Sequence, residues 1–130
     1  MVKIRKVKKN DFKQYLELKK FSHKEYSKLI GEKIRVSDEF IKKEFNDFSF
    51  SDKRFLLIAE DKKICGFLIG SLIGSDYKKI GYIDDIFVTK EFRGRGIAKE
   101  LIKEFIKRLR EKKPGRQLTK FGKDFLEGIK

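Results

Sequence analysis

Cysteine is all but missing from this chain: Cys65 stands alone, so no internal disulfide can form. It lies inside an apolar stretch, where a lone thiol behaves as a small buried hydrophobe. Histidine is equally scarce, and the single His23 excludes a histidine-rich metal site; no metal is expected. No apolar run approaches the ~20 residues that a membrane span needs, the longest covering residues 64–74. The basic start Met1–Lys9 has no apolar segment behind it and does not read as a targeting sequence. With one cysteine and no such address, the expected compartment is the cytoplasm. Neither an internal repeat nor a low-complexity linker breaks the chain.

What is present is charge. Lys and Arg number 34 against 20 Asp and Glu, a formal net charge of +14, beside 39% hydrophobic residues. That balance describes a globular domain with a highly charged surface, not a disordered chain. A length of 130 residues suffices for one core and not for two, so residues 1–130 are expected to form a single domain. The positive surplus favours an anionic partner: nucleic acid, an acidic membrane surface or a phosphorylated small molecule. A lysine- and isoleucine-rich genome or a hot environment would produce the same bias.

The hydrophobic period changes three times along the chain. Val2–Val7 alternates apolar and basic residues, the pattern of a half-buried strand. Asn10 or Asp11 can cap a helix carrying Phe12, Tyr15, Leu16 and Leu18, and a second helical stretch through Tyr26, Leu29 and Ile30 stops at Gly31. Ser37 opens a further helix with Phe40, Ile41 and Phe45 on its apolar side. From Phe55 the signal becomes strand: Phe55–Ala59, a polar connection at residues 60–63, Ile64–Ile73, a turn at residues 75–78, and Ile80–Val88. A helix follows with Ile97, Ala98, Leu101, Ile102, Phe105, Ile106 and Leu109 on one face, with Glu104 and Arg108 placed for an i,i+4 pair. The order β-α-α-β-β-β-α gives an α+β fold, a mixed and mostly antiparallel sheet flanked by helices.

The strand Tyr82-Ile83-Asp84-Asp85-Ile86-Phe87-Val88 is joined to that last helix through Arg93-Gly94-Arg95-Gly96. A Gly-x-Gly turn opening a helix presents unpaired backbone N–H groups at the positive end of the helix dipole. Here these belong to the first-turn residues Ile97, Ala98 and Lys99, and with Arg93 and Arg95 they make a phosphate-binding nest. A tight packing turn would use the same two glycines. The third glycine of a dinucleotide fingerprint is absent, Lys99 standing in its place, and so is the Gly-Lys-Ser/Thr of a P-loop.

The whole string from Tyr82 to Leu101 resembles the cofactor-binding motif of the GNAT family of N-acetyltransferases: apolar-x-Val closing a strand, a short spacer, then Arg/Gln-x-x-Gly-x-Gly/Ala opening a helix. The acidic pair Asp84-Asp85 is most similar to the polyamine (diamine) acetyltransferase branch. The resemblance implies the acyltransferase fold, a transferase activity, and acetyl-coenzyme A as co-substrate with its phosphates on Arg93–Lys99. It further implies that Ile86, Phe87 and Val88 offer backbone groups to the pantetheine arm, and that the Val88 N–H polarises the thioester carbonyl. The acceptor would be a primary amine of a small molecule or a protein. An alkylamine is protonated at neutral pH, so a carboxylate is needed to draw in the ammonium and take its proton. Asp84 shares a strand face with Tyr82 and Ile86 by period 2 and is the preferred base over Asp85, with Tyr82 shaping the acceptor site. Adjacent acids at a sheet edge can equally be solvated or bridge to lysines. His23 falls where the family places acceptor-binding residues, though a surface histidine between helices is the plainer reading.

The sequence departs from the family after the motif helix. Only 17 residues follow Lys113, and their apolar spacing from Arg116 to Lys130 reads as a short amphipathic helix with no strand-like run. The family's fifth strand and its general-acid Tyr are not legible; no Tyr follows Tyr82. The pattern is therefore read as truncated at the C-terminus, with an open sheet edge that a homodimer sharing C-terminal elements would cover. A catalytically degenerate coenzyme A-binding or interaction protein is the alternative. Nucleic acid is a less favoured partner, because Arg93-Gly94-Arg95-Gly96 is no extended RGG tract, and no membrane partner is expected, because acids interrupt the polar face of the helix.

Overall fold

Side-chain alternation builds the centre of this protein. The computed structural model describes residues 1–74, 79–112 and 117–118. In β2 (Arg54–Asp61) and β3 (Lys63–Gly74) both faces are apolar, so the two strands sit mid-sheet with a helical layer on each side. Phe55, Leu57, Cys65 and Leu68 point to one layer, and Leu56, Ile58, Phe67 and Ile69 to the other. Cys65 is buried, as the sequence suggests. β1 (Lys3–Lys6) and β4 (Lys79–Val88) flank this pair, every contact antiparallel.

The first helical layer is α1 (Phe12–Ile30) and α2 (Asp38–Phe50), with Tyr15, Ile41 and Phe45 seated on the sheet. The two expected N-terminal stretches run on as one helix, ended by Gly31 in the left-handed region (φ 73°). Ser37 caps α2 as expected, its Oγ accepting the Phe40 N–H at 3.1 Å. Asp11 stands at the start of α1 but does not cap it. Its carboxylate instead accepts the Lys8 N–H at 2.6 Å and both ends of the Arg5 guanidinium at 2.8 and 2.9 Å. Arg5 also reaches Glu60, so one side chain ties β1, β2 and the entry to α1 together.

The second layer is α3 (Ile97–Lys112), which lays Leu101, Ile102, Phe105 and Leu109 on the opposite face, the expected Glu104–Arg108 pair closing at 3.0 Å outside. Its approach depends on Gly70: a Cβ there would lie 2.5 Å from the Phe105 ring.

Two departures from expectation bear on the site. β3 and β4 change register between Ile69 and Gly70, which pair with Asp85 and Ile83, so Asp84 is an extra, bulged residue in β4. A strand also follows α3 after all: β5 (Gln117–Leu118) runs parallel to β4, pairing at Ile80 and Gly81. Two residues are too short a run to announce themselves by period. The turn at residues 75–78, and residues 119–130 with the helix and dimer contact expected of them, lie outside the described residues. No described helix is long and apolar enough to cross a membrane.

Candidate active site

β5 covers only the beginning of β4, and from Tyr82 onward no described strand pairs with the outer edge of β4. The Thr89 N–H donates to the Cys65 carbonyl at 2.9 Å, so position 89 faces β3. Backbone groups alternate along a strand, which turns those of Val88 and Ile86 outward and those of Phe87 inward. The Val88 N–H is thus presented at the open edge. Of the three backbone positions expected to meet an extended ligand, Phe87 faces its partner Phe67 in β3, and Ile86 and Val88 face out.

Beyond Val88 the chain turns through Gly94 and Gly96, whose φ values of 79° and 80° belong to the region that glycine alone adopts freely. No atom lies within 4 Å of a Cβ built at either position, so the turn borders open space. The Glu100 N–H closes the first turn of α3 onto Gly96 at 3.0 Å. The N–H groups of Ile97, Ala98 and Lys99 ahead of it have no partner inside the helix. Arg95 lies over the Phe92 ring at 4.9 Å. Arg93 is held more tightly: its Nε donates to the Val88 carbonyl at 2.8 Å, Nη2 meets Glu25 of α1 at 2.7 Å, and the group stacks on Phe87 at 5.4 Å. Its side chain braces α1 against the end of β4, a use that no local sequence signal announces.

The bulge decides where the acids point. Asp85 is opposite Ile69, and Tyr82 opposite Ser71, both on the α1/α2 face. Asp84 joins them, its Oδ2 accepting the Ser71 hydroxyl at 2.6 Å. Ile86, opposite Leu68, packs toward α3. The expectation that Asp84 shares a face with Ile86 is therefore corrected: an unbulged strand would place them together, and the extra residue separates them while bringing both carboxylates to one side.

The two carboxylates have different partners. Asp85 is bound by Lys19 of α1 at 2.7 Å, a lysine only 7% exposed at its side chain, which also lies 3.8 Å from Glu44 and over the Phe67 ring. Asp84 has no cation partner among the described residues. Lys19 escaped the sequence reading, yet the signal was there: it sits among Tyr15, Leu18 and Ser22 on the buried face of α1. A lysine in that position needs an acid across the packing surface.

Asp84 and Asp85 line a cleft of about 750 Å³ together with His23, Tyr26, Phe87 and Arg93. His23 is therefore not simply a surface residue. Burial, then nearby Lys19, holds its pKa below the ordinary histidine value, so the imidazole is neutral at pH 7 and able to accept a proton. Tyr15, behind this wall, is fully buried, and burial beside Glu44 raises its phenol so that it stays protonated. Tyr82 is exposed on the same face.

The model of the acetyltransferase (GNAT) family matches residues 15–120. No curated protein sequence matches significantly. Among solved structures, a ribosomal-protein-alanine N-acetyltransferase from Brucella melitensis biovar Abortus 2308 superposes with TM-score 0.76 at 20% identity, covering 99% of this chain and 89% of that one. A glucosamine-6-phosphate N-acetyltransferase from Arabidopsis thaliana gives 0.70 at 21%, covering 99% and 90%. The aminoglycoside N-acetyltransferase AAC(6′)-Iy in complex with CoA gives 0.73 at 20%, covering 99% and 86%. At these identities the likeness establishes the fold.

Proposed function

Because the chain belongs to the acetyltransferase (GNAT) family, we propose that it transfers the acetyl group of acetyl-coenzyme A to a primary amine. The observation that carries this reading is continuity. An outward-facing strand edge at Ile86 and Val88, a two-glycine nest on α3 and a cleft holding a carboxylate with no cation partner among the described residues adjoin one another along a single stretch of chain.

The residues fit the co-substrate: the open space at Gly94 and Gly96 admits a pyrophosphate against the free N–H groups of α3, with Arg95 beside it. Acetyl-coenzyme A supplies an activated thioester. The Val88 N–H, fixed at the edge, stabilises the negative charge that develops on the carbonyl oxygen. Asp84 attracts the ammonium and takes its proton directly or through water, and His23 is a second neutral acceptor in the same cleft. The new bond is N–C and the broken bond is C–S. The amine proton passes to solvent, and the departing thiolate takes one back from water. The acidic pair by itself suits a cationic acceptor such as a polyamine.

Thermal unfolding with and without acetyl-coenzyme A tests the reading. At about 100 times the dissociation constant, binding to the folded state adds about 2.7 kcal/mol, a rise of several degrees. We expect that rise in the wild type, its loss in Gly94→Ala, and release of free thiol when an amine is added. The second reading is a coenzyme A-binding protein without turnover. It would show the thermal rise and no thiol release with any amine.

A further inference from the structure

The acceptor cleft does not end at the acids. His23 and Ile34 also line a second groove, of about 710 Å³, between the C-terminal half of α1 and the connection to α2. Its lining includes Lys20, Lys24, Lys33 and Arg35 and no carboxylate. Lys20 is paired with Asp38 at 3.2 Å, but Lys24, Lys33 and Arg35 form no ion pair among the described residues. The wall is held in place: the Ile34 N–H donates to Ser27 Oγ at 2.9 Å, fixing the connection onto α1. An acid-lined cleft and a cation-lined groove thus share two residues, and their charges are of opposite sign.

A dication would meet the carboxylates at one end and three uncompensated cations at the other. An amine with a negative group on its far side finds a complement at both ends. Resting on the acetyl-transfer reading above, we propose that the acceptor is a primary amine bearing an anionic group, phosphate or carboxylate. Its amine lies at Asp84 and its anion between Lys24 and Arg35. The positive surplus of the chain opposes a polycationic acceptor and does not oppose this one, which carries no net positive charge.

The test uses ω-aminoalkyl phosphates of two to six carbons, the ω-amino acids and ω-amino alcohols of the same lengths, and the matching diamines. In thiol-release assays the best phosphate or carboxylate should exceed its alcohol in kcat/KM by about tenfold, and the ratio should fall with added salt. In Lys24→Gln/Arg35→Gln the ratio should drop to near one, while the thermal rise with acetyl-coenzyme A persists. Which anion gives the larger ratio separates phosphate from carboxylate. Equal rates for anion and alcohol, or preference for the diamine, would overturn the proposal. Calorimetric binding of the same compounds, with coenzyme A present, keeps the two readings apart. Binding that needs Lys24 and Arg35 but yields no acetylation supports two-ended recognition and removes acetyl transfer, whereas no binding of any anionic amine removes the recognition itself.

Discussion

Asp84 and Asp85 are neighbours in sequence and share a face of the sheet, yet their chemistry differs because of what each touches. Lys19 neutralises Asp85 from a buried position, and removing that lysine would leave the half-exposed Asp85 carboxylate in the cleft without its ion pair. Asp84 receives one hydroxyl, from Ser71, and otherwise faces the cleft. In the proposed reaction Asp84 is the base, and Asn in its place would keep the shape while losing the proton acceptor. Asp84→Asn should lower kcat/KM about 100-fold or more with the cofactor-induced thermal rise unchanged. An equal loss of that rise would mean that the residue supports the cofactor edge instead.

At the scale of elements, the packing of α3 on the sheet turns on one contact. The fully buried Phe105 ring occupies the space a Cβ at Gly70 would need, and with Phe55 edge-on against it at 5.6 Å it has little room to yield. Gly70→Ala should cost about 1–3 kcal/mol in urea unfolding, with part of the loss restored by Phe105→Leu. The elements themselves were largely legible. Doubly apolar runs marked β2 and β3, a clean amphipathic period marked α3, and Ser37 marked the start of α2. What escaped were features that period cannot carry. The bulge at Asp84 depends on the register against β3, β5 is two residues long, and the brace from Arg93 to Glu25 joins positions 68 apart. The nest was readable because its glycines and its helix are contiguous; the second groove was not, because α1 and the connection to α2 meet only in the folded chain.

For the whole molecule, Arg5 acts as a clasp on the N-terminal edge. It holds Asp11, through a two-pronged hydrogen bond, and Glu60 below the ordinary carboxylate range. Groups whose folded pKa is depressed contribute their full stability above the unfolded value, near ~4, and lose it as the pH falls through the folded one. The melting temperature should therefore hold from neutral pH down to about 5 and fall steeply below about 4. Arg5→Met should cost roughly 1.5–3 kcal/mol at pH 7 and flatten that acid limb. The limb should be steeper at low salt, since protonating carboxylates adds to a chain already at +14.

The register of β4 carries a last consequence. Ile83 and Ile86 are three positions apart and both pack toward α3, a spacing that a regular strand cannot accommodate. Without residue 84, Tyr82, Asp85 and Phe87 would alternate with Ile83, Ile86 and Val88 in an uninterrupted ladder. The strand ladder is thus one residue shorter than the chain, and the pairing with β3 leaves Asp84 without a partner position. Deleting it, a change that ordinarily ruins a central strand, should leave a protein that melts cooperatively at or above the wild-type temperature and has no acetyltransferase activity. Failure of the deletion variant to fold would show that the kink itself is needed to seat α3.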